Sequence, residues 1–160
     1  MNYAGLNTCD ATNGEGLRVS LFVSGCSMNC KGCFNKEAQD PNYGKFFDKE
    51  AFYTLLGALN EPYIEGLSLL GGDPLEPCNI ATVGDLVRSV KGWYPNKTIW
   101  LWTGRKYEDV QHLPLMQYID VIVDGAFIEK KKVEPSRRKC NEQWKGSSNQ
   151  RVIWLHQEVQ

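Results

Sequence analysis

Apolar and polar positions alternate at the start of residues 17–24, a stretch rich in β-branched and aromatic types, and this period of two predicts a strand. Gly25 closes it. Over residues 48–60 the spacing changes: Phe52, Leu55, Leu56 and Leu59 fall on one face of a helix, with Asp48 placed to cap its amino end. Residues 66–70 form a short apolar run that predicts a buried strand, halted by Gly71-Gly72-Asp73-Pro74. Val83, Leu86, Val87 and Val90 mark a second amphipathic helix over 82–91, closed by Gly92 and Pro95. Strands follow at 98–103 and 119–123, separated by a weaker helical stretch at 114–118, and residues 151–155 add a last strand. Alternation of strand and helix predicts an α/β fold with a mostly parallel sheet, or an incomplete barrel with right-handed crossovers.

That order has a consequence for chemistry. Ligands of parallel α/β sheets sit at the carboxyl ends of the strands. The loop that begins at Gly25, the Gly71 to Pro74 turn, Thr103-Gly104 and Asp124-Gly125 all come directly after predicted strands, so one edge should gather them.

A chain of 160 residues fits one domain and falls short of a complete eight-fold β/α barrel, which takes roughly 200 or more. No repeat, low-complexity tract or composition break divides residues 1–160. With 18 Lys and Arg against 19 Asp and Glu, there is no net field to attract nucleic acid or an anionic membrane. Neither a secretory leader pattern over residues 1–16 nor an apolar run of bilayer length is seen, so a cytoplasmic protein is expected. One segment stands apart, the basic run at 129–139, which reads as a solvated loop ahead of a patch for an acidic partner. The five tryptophans, two of them in a predicted strand, fit the core, while His112 and His156 stand alone as surface or hydrogen-bonded residues.

Six cysteines in a reducing compartment are more readily explained by burial, metal or catalysis than by disulfides. Cys9, Cys78 and Cys140 are scattered and read as plain thiols, but Cys26, Cys30 and Cys33 form a C-x3-C-x2-C run on the loop after the first predicted strand. Three thiolates from one loop can hold three irons of a [4Fe-4S] cluster and leave the fourth open to a ligand. The spacing also leaves open a zinc-stapled interaction module, with a fourth ligand from Cys9, Cys78, Cys140, His112 or His156. Gly71-Gly72-Asp73-Pro74 is an ordinary turn by composition, and gains weight only from its position on the same edge.

These pieces, together with Asn13 to Arg18, Ile99 to Gly104, Val123 to Phe127 and Gly146 to Gln150, run in an order that resembles the radical S-adenosylmethionine enzymes. Within them the chain is similar to the small activating proteins of the anaerobic (class III) ribonucleoside-triphosphate reductases, over nearly its whole length. The resemblance implies a shortened, incomplete (βα) barrel whose [4Fe-4S] cluster is held by Cys26, Cys30 and Cys33. It implies S-adenosyl-L-methionine lined by Gly32, Cys33 and Phe34, with Gly71, Gly72 and Asp73 at its methionyl ammonium and Asp124 as a further contact. The implied activity is one-electron cleavage of that cofactor to a 5′-deoxyadenosyl radical, which takes a hydrogen from a glycine of the large reductase subunit. A flavodoxin-type electron donor and a hetero-tetramer with the reductase dimer complete the expectation. The basic run before Cys140 is longer than the family pattern and is expected to be a loop insertion or part of the reductase contact.

Overall fold

The computed structural model describes residues 1–134 and 143–156. Cys140 and residues 135–139 of the basic run lie outside them. Seven strands form one open sheet: β1 (Asn2–Asp10), β2 (Leu17–Val23), β3 (Lys45–Phe46), β4 (Ile64–Gly71), β5 (Thr98–Trp102), β6 (Val121–Asp124) and β7 (Arg151–Trp154), in the spatial order β3-β1-β2-β4-β5-β6-β7. The central β2, β4, β5 and β6 run parallel, whereas β1, β3 and β7 pair antiparallel at the margins. The sheet is therefore mixed, with a parallel heart where the alternating pattern placed one. The helices are α1 (Lys49–Leu59), α2 (Ile80–Trp93) and the short α3 (Tyr107–Val110), and the weak stretch before β6 is a 3-10 turn, Pro114–Tyr118.

The two faces of the sheet differ in chemistry. Because side chains alternate along a strand, Val19, Leu21 and Val23 of β2 point one way and Arg18, Ser20 and Phe22 the other. The first set joins Leu67, Leu69, Ile99, Leu101 and Ile122, and all are buried in one core with Leu55 and Leu59 of α1 and Val83, Leu86, Val87 and Val90 of α2. Asp48 caps α1 as expected, its carboxylate accepting from the Ala51 N–H at 2.9 Å.

The opposite face carries Arg18, Ser20, Ser68 and Trp100, all buried although three are polar. Trp100 packs against Trp102, Trp144 and Trp154, with ring centroids 4.8 to 5.7 Å apart. Four of the five tryptophans thus share one cluster; Trp93, at the end of α2, is instead 72% exposed. His112 and His156 are exposed. Among the described residues no helix is long and apolar enough to cross a membrane.

β1 has no counterpart in the sequence reading. Its register against β2 shifts between Tyr3 and Gly5 and again between Asn7 and Asp10, so no strict alternation survives along it.

Candidate functional site

The chain leaves β2 at Val23 and enters the cysteine loop, which is fastened at several points. The Gly25 and Cys26 N–H groups donate to the Ala38 and Gln39 carbonyls at 2.7 and 3.0 Å, and a turn closes from Cys33 N–H to the Cys30 carbonyl. Asn35 N–H reaches the Cys33 sulfur at 3.4 Å. Ser27 donates twice to Glu76, and Met28 lies over Gly104, where an added Cβ would sit 2.9 Å from its Cγ. Gly32 adopts φ +71° and is pressed against Glu129, whose carboxylate also pairs with Lys31 at 3.5 Å. Only glycine takes that conformation freely at such close quarters.

The next strand end locks onto this loop. Gly72 N–H donates to the Val23 carbonyl at 2.7 Å and Asp73 N–H to the Gly25 carbonyl at 2.8 Å. Gly71 has φ +105°, and a Cβ there would lie 2.7 Å from the backbone nitrogen of Val23; one on Gly72 would lie 2.5 Å from the Gly25 oxygen. Two glycines are therefore required simply to bring β4 and the cysteine loop together. Asn79, at the start of α2, does not cap the helix with its side chain; its amide donates to the Ser24 and Asp73 carbonyls, both at 2.9 Å.

A cavity of about 420 Å³ opens between these ends. Cys26, Cys30 and Cys33 line it with Gly71, Gly72 and Asp73, and so do Thr103, Gly104 and Gly125 from the ends of β5 and β6. The four strand ends are thus gathered on one edge. Phe34 also lines the cavity, 61% exposed and in contact with Phe127 at 5.0 Å between centroids.

Two predicted residues stand elsewhere. Gly32 is not among the cavity-lining residues and lies against the Glu129 side chain. The Asp124 carboxylate is buried and taken up by Arg151, whose Nε donates at 2.9 Å, and by the Tyr107 N–H at 2.7 Å. It borders a second, adjoining hollow and fastens β6 to β7 and α3. Asp73 does line the cavity, but its oxygens already accept from the Leu75 N–H, the Thr103 hydroxyl and the Gly104 N–H at 2.8 to 3.0 Å. Burial pushes its carboxyl up from the ordinary value, with those donors pulling the other way.

The three loop thiols are free and half-buried. Burial pushes Cys26 up to about 11, so without a metal it stays a neutral thiol; binding iron requires its proton to leave. Among the described residues no three His, Cys, Asp or Glu side chains are grouped to hold one ion. Three thiols lining one cavity suit a cluster, which spreads its thiolates over separate irons.

Several cavity residues were given no place at the site from the sequence. Thr12 and Asn13 come from the loop between β1 and β2, which folds over the polar face of the sheet. Arg18 anchors that loop: its guanidinium donates to the Glu15 carbonyl at 3.1 Å, to Ser68 at 2.7 Å and to the Leu67 and Thr98 carbonyls at 2.9 and 2.8 Å, and it lies 5.4 Å from the Trp100 ring centre. Burial lowers its pKa to about 10. Gln150 bridges the Gly146 and Ser147 N–H groups to the Gly125 carbonyl and shapes the far wall. The segment from Asn13 to Arg18 signalled family membership, yet its role emerges only in three dimensions.

The family described as "4Fe-4S single cluster domain" matches residues 12–153. The anaerobic ribonucleoside-triphosphate reductase-activating protein of Enterobacteria phage T4 is 41% identical, the match covering 98% of this chain and 99% of the relative. This chain belongs to that family. Relatives of that name from Haemophilus influenzae and Escherichia coli K12 are 42% and 40% identical, over 94% and 97% of this chain and 96% and 99% of their own lengths. The spacing had left a zinc module open, and the family match points instead to iron and sulfide.

Proposed function

We propose that this chain activates an anaerobic ribonucleoside-triphosphate reductase by reductive cleavage of S-adenosyl-L-methionine at a [4Fe-4S] cluster held by Cys26, Cys30 and Cys33. The observation that carries this reading is the shared cavity, in which the three thiols face the Gly71-to-Asp73 turn and the end of β5. When bound, the cluster would supply one electron for cleavage of the sulfonium to methionine and a 5′-deoxyadenosyl radical, the species that would take a hydrogen atom from a reductase glycine.

The chain's own residues bind, position and shield. Cys33 and Phe34 would lie along the cofactor, and Gly71, Gly72 and Asp73 would border its methionyl ammonium. Asp73 contributes chiefly by holding Thr103 and Gly104 beside that place. Gly32 lies against Glu129, and Asp124 has a structural task at β6, so neither is assigned a direct contact. Phe34 and Phe127 form an apolar wall that limits water. In this reading the open sheet is a shortened barrel of the radical S-adenosylmethionine type, and its uncovered edge admits the reductase glycine loop. A flavodoxin-type donor supplies the electron, the assembly with a reductase dimer is a hetero-tetramer, and the setting is a reducing cytoplasm.

Anaerobic reconstitution tests it directly. The expected product is a brown protein with about four irons and four sulfides per chain. Reduction in the presence of S-adenosyl-L-methionine should yield methionine and 5′-deoxyadenosine, and adding the reductase should give a glycyl-radical signal in electron paramagnetic resonance. A colourless protein carrying stoichiometric zinc would overturn the reading.

A further inference from the structure

Glu76 belongs to neither the cysteine motif nor the cavity lining, yet it is only 7% exposed and sits where three chain segments meet. One of its carboxylate oxygens, Oε1, accepts from the Ser27 N–H at 3.0 Å, from the Ser27 hydroxyl at 2.7 Å and from Nη2 of Arg105 at 3.1 Å. Its own backbone is fixed from both sides: the Glu76 N–H donates to the Asp73 carbonyl, and the Glu76 carbonyl accepts from Asn79 and Ile80 at the start of α2. Arg105 is held in turn, its N–H donating to the Thr103 hydroxyl and its carbonyl accepting from Gly125. The ends of β4, β5 and β6 are therefore joined to the residue that directly follows Cys26.

We infer that Glu76 is a positioning residue which, steadied by Arg105, presets the cysteine loop by gripping Ser27, so that Cys26 holds its place before any metal arrives. A lone carboxylate in this spot would be costly, but three donors on one oxygen, one of them charged, satisfy it. Neither a neutral apolar side chain nor a short one could hold both the backbone and the hydroxyl of Ser27. Glutamine keeps an acceptor oxygen at the same reach and gives up only the ion pair. The inference concerns the loop in the metal-free chain and rests on the proposed function only for its bearing on the cluster.

The test uses the full chain in three forms, wild type, Glu76→Ala and Glu76→Gln, with Ser27→Ala as the partner-side variant. Metal-free protein is treated anaerobically with iodoacetamide, and alkylation of each cysteine is followed by mass spectrometry, with exposed Cys9 as an internal reference. Glu76→Ala should raise the Cys26 rate relative to Cys9 by about tenfold, the factor that loss of a buried charge-assisted hydrogen bond allows, and Glu76→Gln should restore most of the protection. Ser27→Ala, which keeps the backbone bond, should give a smaller increase in the same direction. In reconstituted protein, loss of iron to a chelator should accelerate in the same order. Unchanged Cys26 protection in both Glu76→Ala and Ser27→Ala would overturn the inference, as would a rise that comes with loss of the far-ultraviolet circular dichroism of the metal-free chain, which reports general unfolding. Failure of the wild type to take up iron would refute the cluster reading and leave the alkylation result to decide this one.

Discussion

The two faces of the central sheet are built on different principles. On the helix side, Val19, Leu21, Leu67, Leu69, Ile99 and Leu101 meet α1 and α2 in a core whose members are interchangeable in kind: each contributes buried apolar area, and no single direction matters. On the other side and along the carboxyl edge, packing gives way to directed bonds. Arg18 threads between Ser68 and three backbone carbonyls, Asp73 ties β4 to β5, and Glu76 grips the cysteine loop. The first face makes the sheet stable; the second makes a cavity of fixed shape on it. A 4Fe-4S single cluster domain has reason to separate the two tasks, since a change on one side can then leave the other standing.

Cys30→Ala breaks the comparison most sharply. It should remove most of the bound iron and the activity in reconstituted protein, while the far-ultraviolet circular dichroism and urea midpoint of the metal-free chain stay within about 0.5 kcal/mol of wild type. Collapse of the metal-free fold would mean that the loop and the core are not separable. The converse variant is Leu69→Ala, at a fully buried position in the helix-side core. It should cost about 2–5 kcal/mol in urea unfolding, and the fraction that remains folded should still bind iron normally.

That asymmetry also explains what is legible in the residues alone. Alternation at β2, short apolar runs and helical spacing announce the helix-side core because they report burial, so β2, β4, β5, β6, α1 and α2 can all be foreseen, down to the Asp48 cap. The cysteine spacing and the placing of turns after strands announce the edge where the site lies. What stays hidden is everything that depends on partners distant in sequence. Arg18 and Ser20 occupy the alternate positions that normally face water, and only the return of the β1–β2 loop and the tryptophan cluster buries them. β1 loses its alternation to register shifts, and β3 has just two residues. Glu76 follows Pro74 and Leu75 in what looks like a plain turn; its value comes from Ser27, 49 positions earlier. Asp124 carries a family motif yet is engaged by Arg151, a pairing no local pattern signals.

Arg18→Met tests whether the polar face contributes stability or only shape. The replacement roughly keeps the stem that packs beside Trp100 and strips the donors from the Leu67 and Thr98 carbonyls. Because those acceptors are then left buried without their partner, a loss of about 1–3 kcal/mol is expected by urea titration. The β1–β2 loop, released from its anchor at Glu15, should also become sensitive to limited proteolysis. Full stability with an unaltered cleavage pattern would show that the loop closes the polar face by itself.

The smallest effect belongs to the rim. Arg151 forms a two-pronged pair with Glu108 at 2.8 and 2.9 Å while also engaging Asp124, and this bonding holds Glu108 down at about 2, against an ordinary value of 4.5. A carboxyl lowered in the folded state favours folding above its unfolded value, and that favour fades as pH falls from about 4.5 toward 2. Glu108 is exposed, so water and salt screen the pair and the contribution should be slight. Stability of wild type and Glu108→Gln should therefore differ a little at neutral pH, converge as the acid limb is descended, and differ less in high salt. A gap that persists at low pH or in concentrated salt would assign the Glu108 side chain a packing role and bring that corner of the molecule closer in kind to the helix-side core.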